Sequence, residues 1–135
     1  MIPSPSANLR TAALFVVAAA SVVLPGPVWG HARLLRSDPA DGQLLTAAPK
    51  VIRLWFNETL DRGFHSAEVF PASELKAKKR NNLASRPPEV NPSDRTELRI
   101  EVKDLVPGRY VVEYRVLSRD GHTAPGRITF EVRAP

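Results

Sequence analysis

Past residue 31 the apolar side chains of this chain recur at every second position, and this alternation constrains the fold more than any other feature. Successive side chains on an extended backbone point to opposite faces, so a period of two builds sheets, whereas a helix needs apolar groups three and four apart. In Val51–Glu58, Ile52, Leu54 and Phe56 share one face, opposite Val51, Arg53, Trp55 and Asn57. Leu98–Val102 alternates in the same way. Residues 109–117 set Tyr110, Val112, Tyr114 and Val116 against Arg109, Val111, Glu113, Arg115 and Leu117, and Ile128–Val132 closes the chain with the same pattern. Ala32–Arg36 and Ala67–Phe70 are shorter candidates.

Turn dipeptides punctuate these runs: Asp38-Pro39, Asp41-Gly42, Ala48-Pro49, Pro107-Gly108, Asp120-Gly121 and Pro125-Gly126. Short strands at this spacing predict an all-β domain, a sandwich or small barrel of about seven strands. The aromatic residues Trp55, Phe56, Tyr110, Tyr114 and Phe130 are expected in its core or on its sheet faces. Residues 71–96 break the pattern. They are rich in Pro, Ser, Asn, Lys and Arg, with Lys76, Lys78, Lys79 and Arg80 clustered, and predict a flexible basic loop.

The first 30 residues read differently. Arg10 is followed by the uncharged apolar run of residues 12–24, then by the helix breakers Pro25 and Gly26 and by Val28-Trp29-Gly30. These are the parts of a secretory signal peptide. The apolar run is shorter than the roughly 20 residues that span a bilayer. Cleavage after Gly30 leaves His31 as the new N-terminus, and cleavage after Ala32 removes it. A signal helix at 1–30 and one β-domain at 31–135 therefore divide the chain.

Composition narrows the chemistry. With no cysteine there is no disulfide, thiolate metal site or thiol nucleophile. The 14 acids all fall after residue 30, and only Arg10 of the 19 Lys and Arg falls before it, so the domain is mildly basic. No basic surface interleaved with aromatics accompanies that excess, which argues against nucleic acid. Ser66 and Ser118 lack a nucleophile-elbow setting, and no glycine-rich phosphate loop is present, so the chain is expected not to be an enzyme.

Three histidines remain: His31, His65 and His122. Once freed at the N-terminus, His31 offers its α-amino group and its imidazole Nδ1 to one metal ion, a histidine brace. Asp120 and His122 lie two apart around Gly121 and can present a carboxylate and an imidazole to the same side. Together they make three nitrogens and one oxygen, a donor set suited to Cu(II). His65 is expected as a solvent-facing residue at a strand edge.

These motifs resemble, in order and spacing, the copper resistance protein CopC family. The resemblance rests on His31-Ala32-Arg33-Leu34, Ser37–Gly42, Ala48-Pro49 and Leu54–Glu58. Towards the C-terminus it rests on Gly108-Arg109-Tyr110, Tyr114–Ser118, Asp120-Gly121-His122 and Gly126–Phe130. It implies an immunoglobulin-like Greek-key β-sandwich or barrel in the periplasm that carries or buffers Cu(II). The implied ligands are His31, Asp120 and His122, with Glu58 matching the family's acidic residue near the site as an axial ligand or hydrogen-bond partner. Some members carry a methionine-rich Cu(I) segment; here Met1 is the sole methionine and leaves with the leader, so Cu(II) alone is expected. The resemblance also implies a monomer working beside a CopD-type inner-membrane copper transporter. A histidine-brace copper monooxygenase and a metal-free immunoglobulin-like interaction module are the competing functions.

Overall fold

The computed structural model describes residues 1–3 and 31–134, so the expected leader and its cleavage site lie outside the described residues. Eight strands follow in order: β1 Leu34–Asp38, β2 Gln43–Leu45, β3 Val51–Phe56, β4 Ser66–Pro71, β5 Glu89–Asn91, β6 Asp94–Glu101, β7 Gly108–Leu117 and β8 Thr123–Val132. They form two four-stranded sheets, ordered β1-β3-β6-β5 and β2-β8-β7-β4. All neighbours run antiparallel except β2, which lies parallel to β8 with Gln43 opposite Phe130.

The alternation chose the inner faces. Ile52, Leu54 and Phe56 of β3 and Leu98 and Ile100 of β6 are buried against Tyr110, Val112, Tyr114 and Val116 of β7 and Ile128 and Phe130 of β8. Area removed from water on both faces is the main stabilising term for such a sandwich. Phe56 meets Tyr114 edge-on with ring centroids 5.5 Å apart. Trp55 points outward, where the Arg36 guanidinium stacks 3.6 Å from its ring centre.

Gly126 shows how tightly β7 and β8 are fitted. It pairs with Tyr114 across the two strands, and a Cβ at this position would lie 2.1 Å from the tyrosine hydroxyl. Only a residue without a side chain lets the phenol cross there.

The architecture is the all-β sandwich expected, with differences in detail. The strand count is eight, because β2 and β5 are three residues long and too short to show a period. β1 begins two residues later than the apolar pattern suggested, β6 begins at Asp94 rather than Leu98, and β8 begins at Thr123 rather than Ile128.

The expected loop at 71–96 is better ordered than its composition implied. It holds a 3-10 turn at Ala72–Glu74, all of β5 and the start of β6. Arg80 lies over the Phe70 ring at 4.4 Å, bonds Glu113 at 2.5 Å and donates to the Leu75 carbonyl. Phe70 and its cross-strand partner Val111 are buried, outside the central core cluster. Leu83 N–H donates to Val69 O, while Ser85 N–H donates to Glu101 O. The segment thus stitches the β4 edge of one sheet to β6 of the other.

Candidate metal centre

Two connections at one end of the sandwich place the expected ligands. The β3–β4 connection, residues 57–65, runs beside the end of β7. Asp61 N–H donates to Leu117 O and Arg119 N–H to Thr59 O, both at 2.9 Å, with Leu60 bridged to Ser118 between them. Leu60 is fully buried, and Arg95 Nη2 donates to its carbonyl at 2.6 Å. An apolar residue inside a polar connection therefore fixes this short ribbon.

The β7–β8 connection turns within Ser118–His122. Ser118 N–H donates to His122 O and Gly121 N–H to Ser118 O, each at 2.9 Å. Gly121 sits at φ +89°, a left-handed conformation that costs glycine little. The tight turn brings the Asp120 and His122 side chains together, with His122 Nδ1 3.0 Å from Asp120 Oδ2. Asp120 Oδ1 accepts from the Ser118 hydroxyl and from His122 N–H. The Ser118 hydroxyl first, then the His122 ring and N–H, hold the Asp120 carboxyl down at about 2. It is an anion throughout the neutral range.

His31 reaches the same place from β1. Arg33 and Asn57 clamp each other, Arg33 N–H donating to Asn57 Oδ1 at 2.6 Å and Asn57 N–H to Arg33 O at 3.0 Å. Ala32 is buried in the core cluster. The residue before it is thereby pinned at the rim, where the His31 and His122 rings meet edge-to-face with centroids 5.3 Å apart.

Glu58 borders a depression of about 410 Å³ with Thr59, Arg119 and Asp120. The structure thus gathers His31, Asp120 and His122 and sets Glu58 on the Asp120 side. Among the described residues no three His, Cys, Asp or Glu side chains form a metal cage on their own. A brace would not require one, since one of its two nitrogens is a main-chain amine, which His31 offers only when the bond before it is cut.

His65 departs from expectation. It is not a free solvent-facing ring: Nε2–H donates to Asp61 O at 2.8 Å, and Nδ1 accepts from Leu117 N–H at 3.1 Å. Both nitrogens are engaged, so it braces the ribbon beneath the site. Sequence reasoning also passed over Ser118 and Asn57. Ser118 carries no local signal of its role; the recognisable pattern beside it is Asp120 accepting from the N–H two residues on. Asn57 had one available signal, an amide ending an alternating strand.

The CopC domain family matches residues 34–133. Protein YobA of Escherichia coli (strain K12) is 37% identical over 114 residues, spanning 84% of this chain and 86% of its own length. CopC from Methylosinus trichosporium OB3b superposes with a TM-score of 0.67 at 26% identity, covering 77% of this chain and 95% of that one. PcoC of Escherichia coli, described as a methionine-rich copper resistance protein, gives a TM-score of 0.62 at 30% identity over 77% of this chain and all of its own. With the fold, the order of the motifs and the matched span in agreement, this chain belongs to the CopC domain family.

Proposed function

We propose that this protein is an exported, periplasmic carrier or buffer of Cu(II), acting in copper homeostasis and resistance without catalysing a reaction. The observation that carries this is the meeting of His31 with the Asp120–His122 pair at one rim, 5.3 Å between the imidazole centroids. Signal cleavage after Gly30 frees the His31 amine, which with Nδ1 chelates the ion. His122 supplies the third nitrogen and Asp120 an oxygen, giving the tetragonal N,O set that Cu(II) favours. Oδ2 rests on His122 Nδ1 in the structure, so binding through that oxygen replaces this contact. Glu58, across the depression, serves as an axial ligand or hydrogen-bond partner.

The copper role is supported by the family and by the name of its relative PcoC. Where PcoC is described as methionine-rich, this chain has Met1 alone, so a thioether Cu(I) site has no residues to form it. A monomer exchanging copper with a CopD-type inner-membrane transporter completes the proposal.

The test compares protein beginning at His31 with protein carrying one extra glycine before it. Calorimetric titration is expected to show one tight Cu(II) site in the first and its loss in the second, with unchanged thermal unfolding. Equal affinity in both would remove the brace. Mass spectrometry of the exported protein fixes the cut, and an N-terminus at Arg33 would do the same. Amine and imidazole must shed protons to bind a metal ion, so affinity is expected to fall steadily on acidification, checked by titration at several pH values.

A further inference from the structure

Ser118 has a side chain that the copper ligand set does not use. It is fully buried, at the point where the β3–β4 ribbon and the β7–β8 turn join. Its hydroxyl has one proton, and the nearest acceptor is Asp120 Oδ1. The hydroxyl also lies 3.0 Å from His122 O, which already takes the Ser118 main-chain N–H. A buried hydroxyl facing a carboxylate is a strong, directional contact. It fixes one carboxylate oxygen and thereby aims the other.

That other oxygen faces His122 Nδ1 at 3.0 Å. An ionised carboxylate only accepts, so the ring nitrogen opposite it carries the hydrogen. His122 is then the Nδ1–H tautomer, and Nε2 is the nitrogen left for a metal. Without the Ser118 hydroxyl, Oδ1 keeps only the longer 3.2 Å bond from His122 N–H, so the carboxylate and the half-exposed imidazole turn more easily and either tautomer becomes available.

The geometry points to Ser118 as the positioning residue of the site: its buried hydroxyl anchors Asp120 so that His122 is held with Nδ1 protonated and Nε2 bare before any ion arrives. The metal consequence of this inference rests on the copper function proposed above, while the tautomer stands on the metal-free protein alone. Once the ion is bound, the Ser118 hydroxyl remains the outer hydrogen-bond partner of the ligating Asp120 carboxylate, and partners of this kind change metal affinity by roughly 10–100-fold.

The experiment uses protein beginning at His31, with Ser118→Ala and Ser118→Thr variants whose thermal unfolding confirms the fold. Nitrogen NMR of the metal-free protein at mildly alkaline pH reads the His122 tautomer. The native protein is expected to show Nδ1 protonated, and Ser118→Ala a mixture. Titration with Cu(II) is expected to show about tenfold or greater weakening in Ser118→Ala, with an altered electron paramagnetic resonance spectrum. Ser118→Thr, which keeps the hydroxyl, is expected to restore the native tautomer. A native His122 protonated on Nε2 overturns the inference, as does a Ser118→Ala protein with unchanged tautomer, affinity and spectrum. So does a folded threonine variant that behaves like alanine; where threonine does not fold, the alanine variant decides. A tautomer that responds in a protein without tight Cu(II) binding upholds the positioning role and rejects the copper function.

Discussion

Gly126 and Asp120 carry sharply testable consequences of single side chains. A methyl group at 126 would meet the Tyr114 hydroxyl at 2.1 Å and run into its ring, across the adjacent strands β7 and β8. Gly126→Ala is expected to cost about 1–3 kcal/mol, as overpacking of a filled core does; chemical denaturation measures it. Asp120 titrates at about 2 instead of the ordinary 3.8, held there mainly by the Ser118 hydroxyl. A depressed carboxyl adds stability that is complete above its unfolded value and is lost as pH falls through its folded one. Stability that depends on Asp120 should therefore decline between about pH 4 and pH 2, and Asp120→Asn should flatten this part of the acid profile, followed by thermal melts across that range. The residues that meet at the rim were legible in the sequence because His31, Asp120 and His122 stand out by type and spacing. What holds them was not. Asn57 reaches Arg33 across 24 positions and His65 reaches Leu117 across 52, and no local pattern records such contacts.

At the scale of the element, apolar alternation found the long strands but not all their bounds, missing the first half of β6 and of β8. β3 and β7 were visible at nearly their full length. β2 and β5 were not, since three residues carry no period and their pairing depends on strands far along the chain. Residues 71–96 look like solvent-exposed chain by composition, yet one arginine gives them a tertiary anchor. Arg80 covers Phe70 and bonds Glu113, whose carboxyl is held below its usual range chiefly by that bond. Arg80→Ala is expected to lose about 1.5–3 kcal/mol, the scale of a hydrogen bond to a charged group. Trypsin should then cut sooner among Lys76, Lys78 and Lys79, and the rate of nicking reports it.

For the whole molecule, the order of strands matters as much as their number. β8 lies inside the second sheet, between β7 and β2, and supplies Ile128, Phe130 and Val132 to the core. Gly42 N–H reaches Thr129 O, so the connection leading into β2 also depends on the last strand. A chain ending at His122 is expected to show no cooperative unfolding transition by circular dichroism.

The same arrangement has a consequence in time. β8, which both halves of the second sheet need, is the last of the eight strands to be synthesised, so that sheet stays incomplete until residues 123–132 emerge. Contacts this distant in sequence also close slowly. For a chain bearing the leader proposed here, the architecture would then order the events: β8 emerges, the second sheet closes around it, and the rim that a freed His31 shares with Asp120 and His122 is completed last.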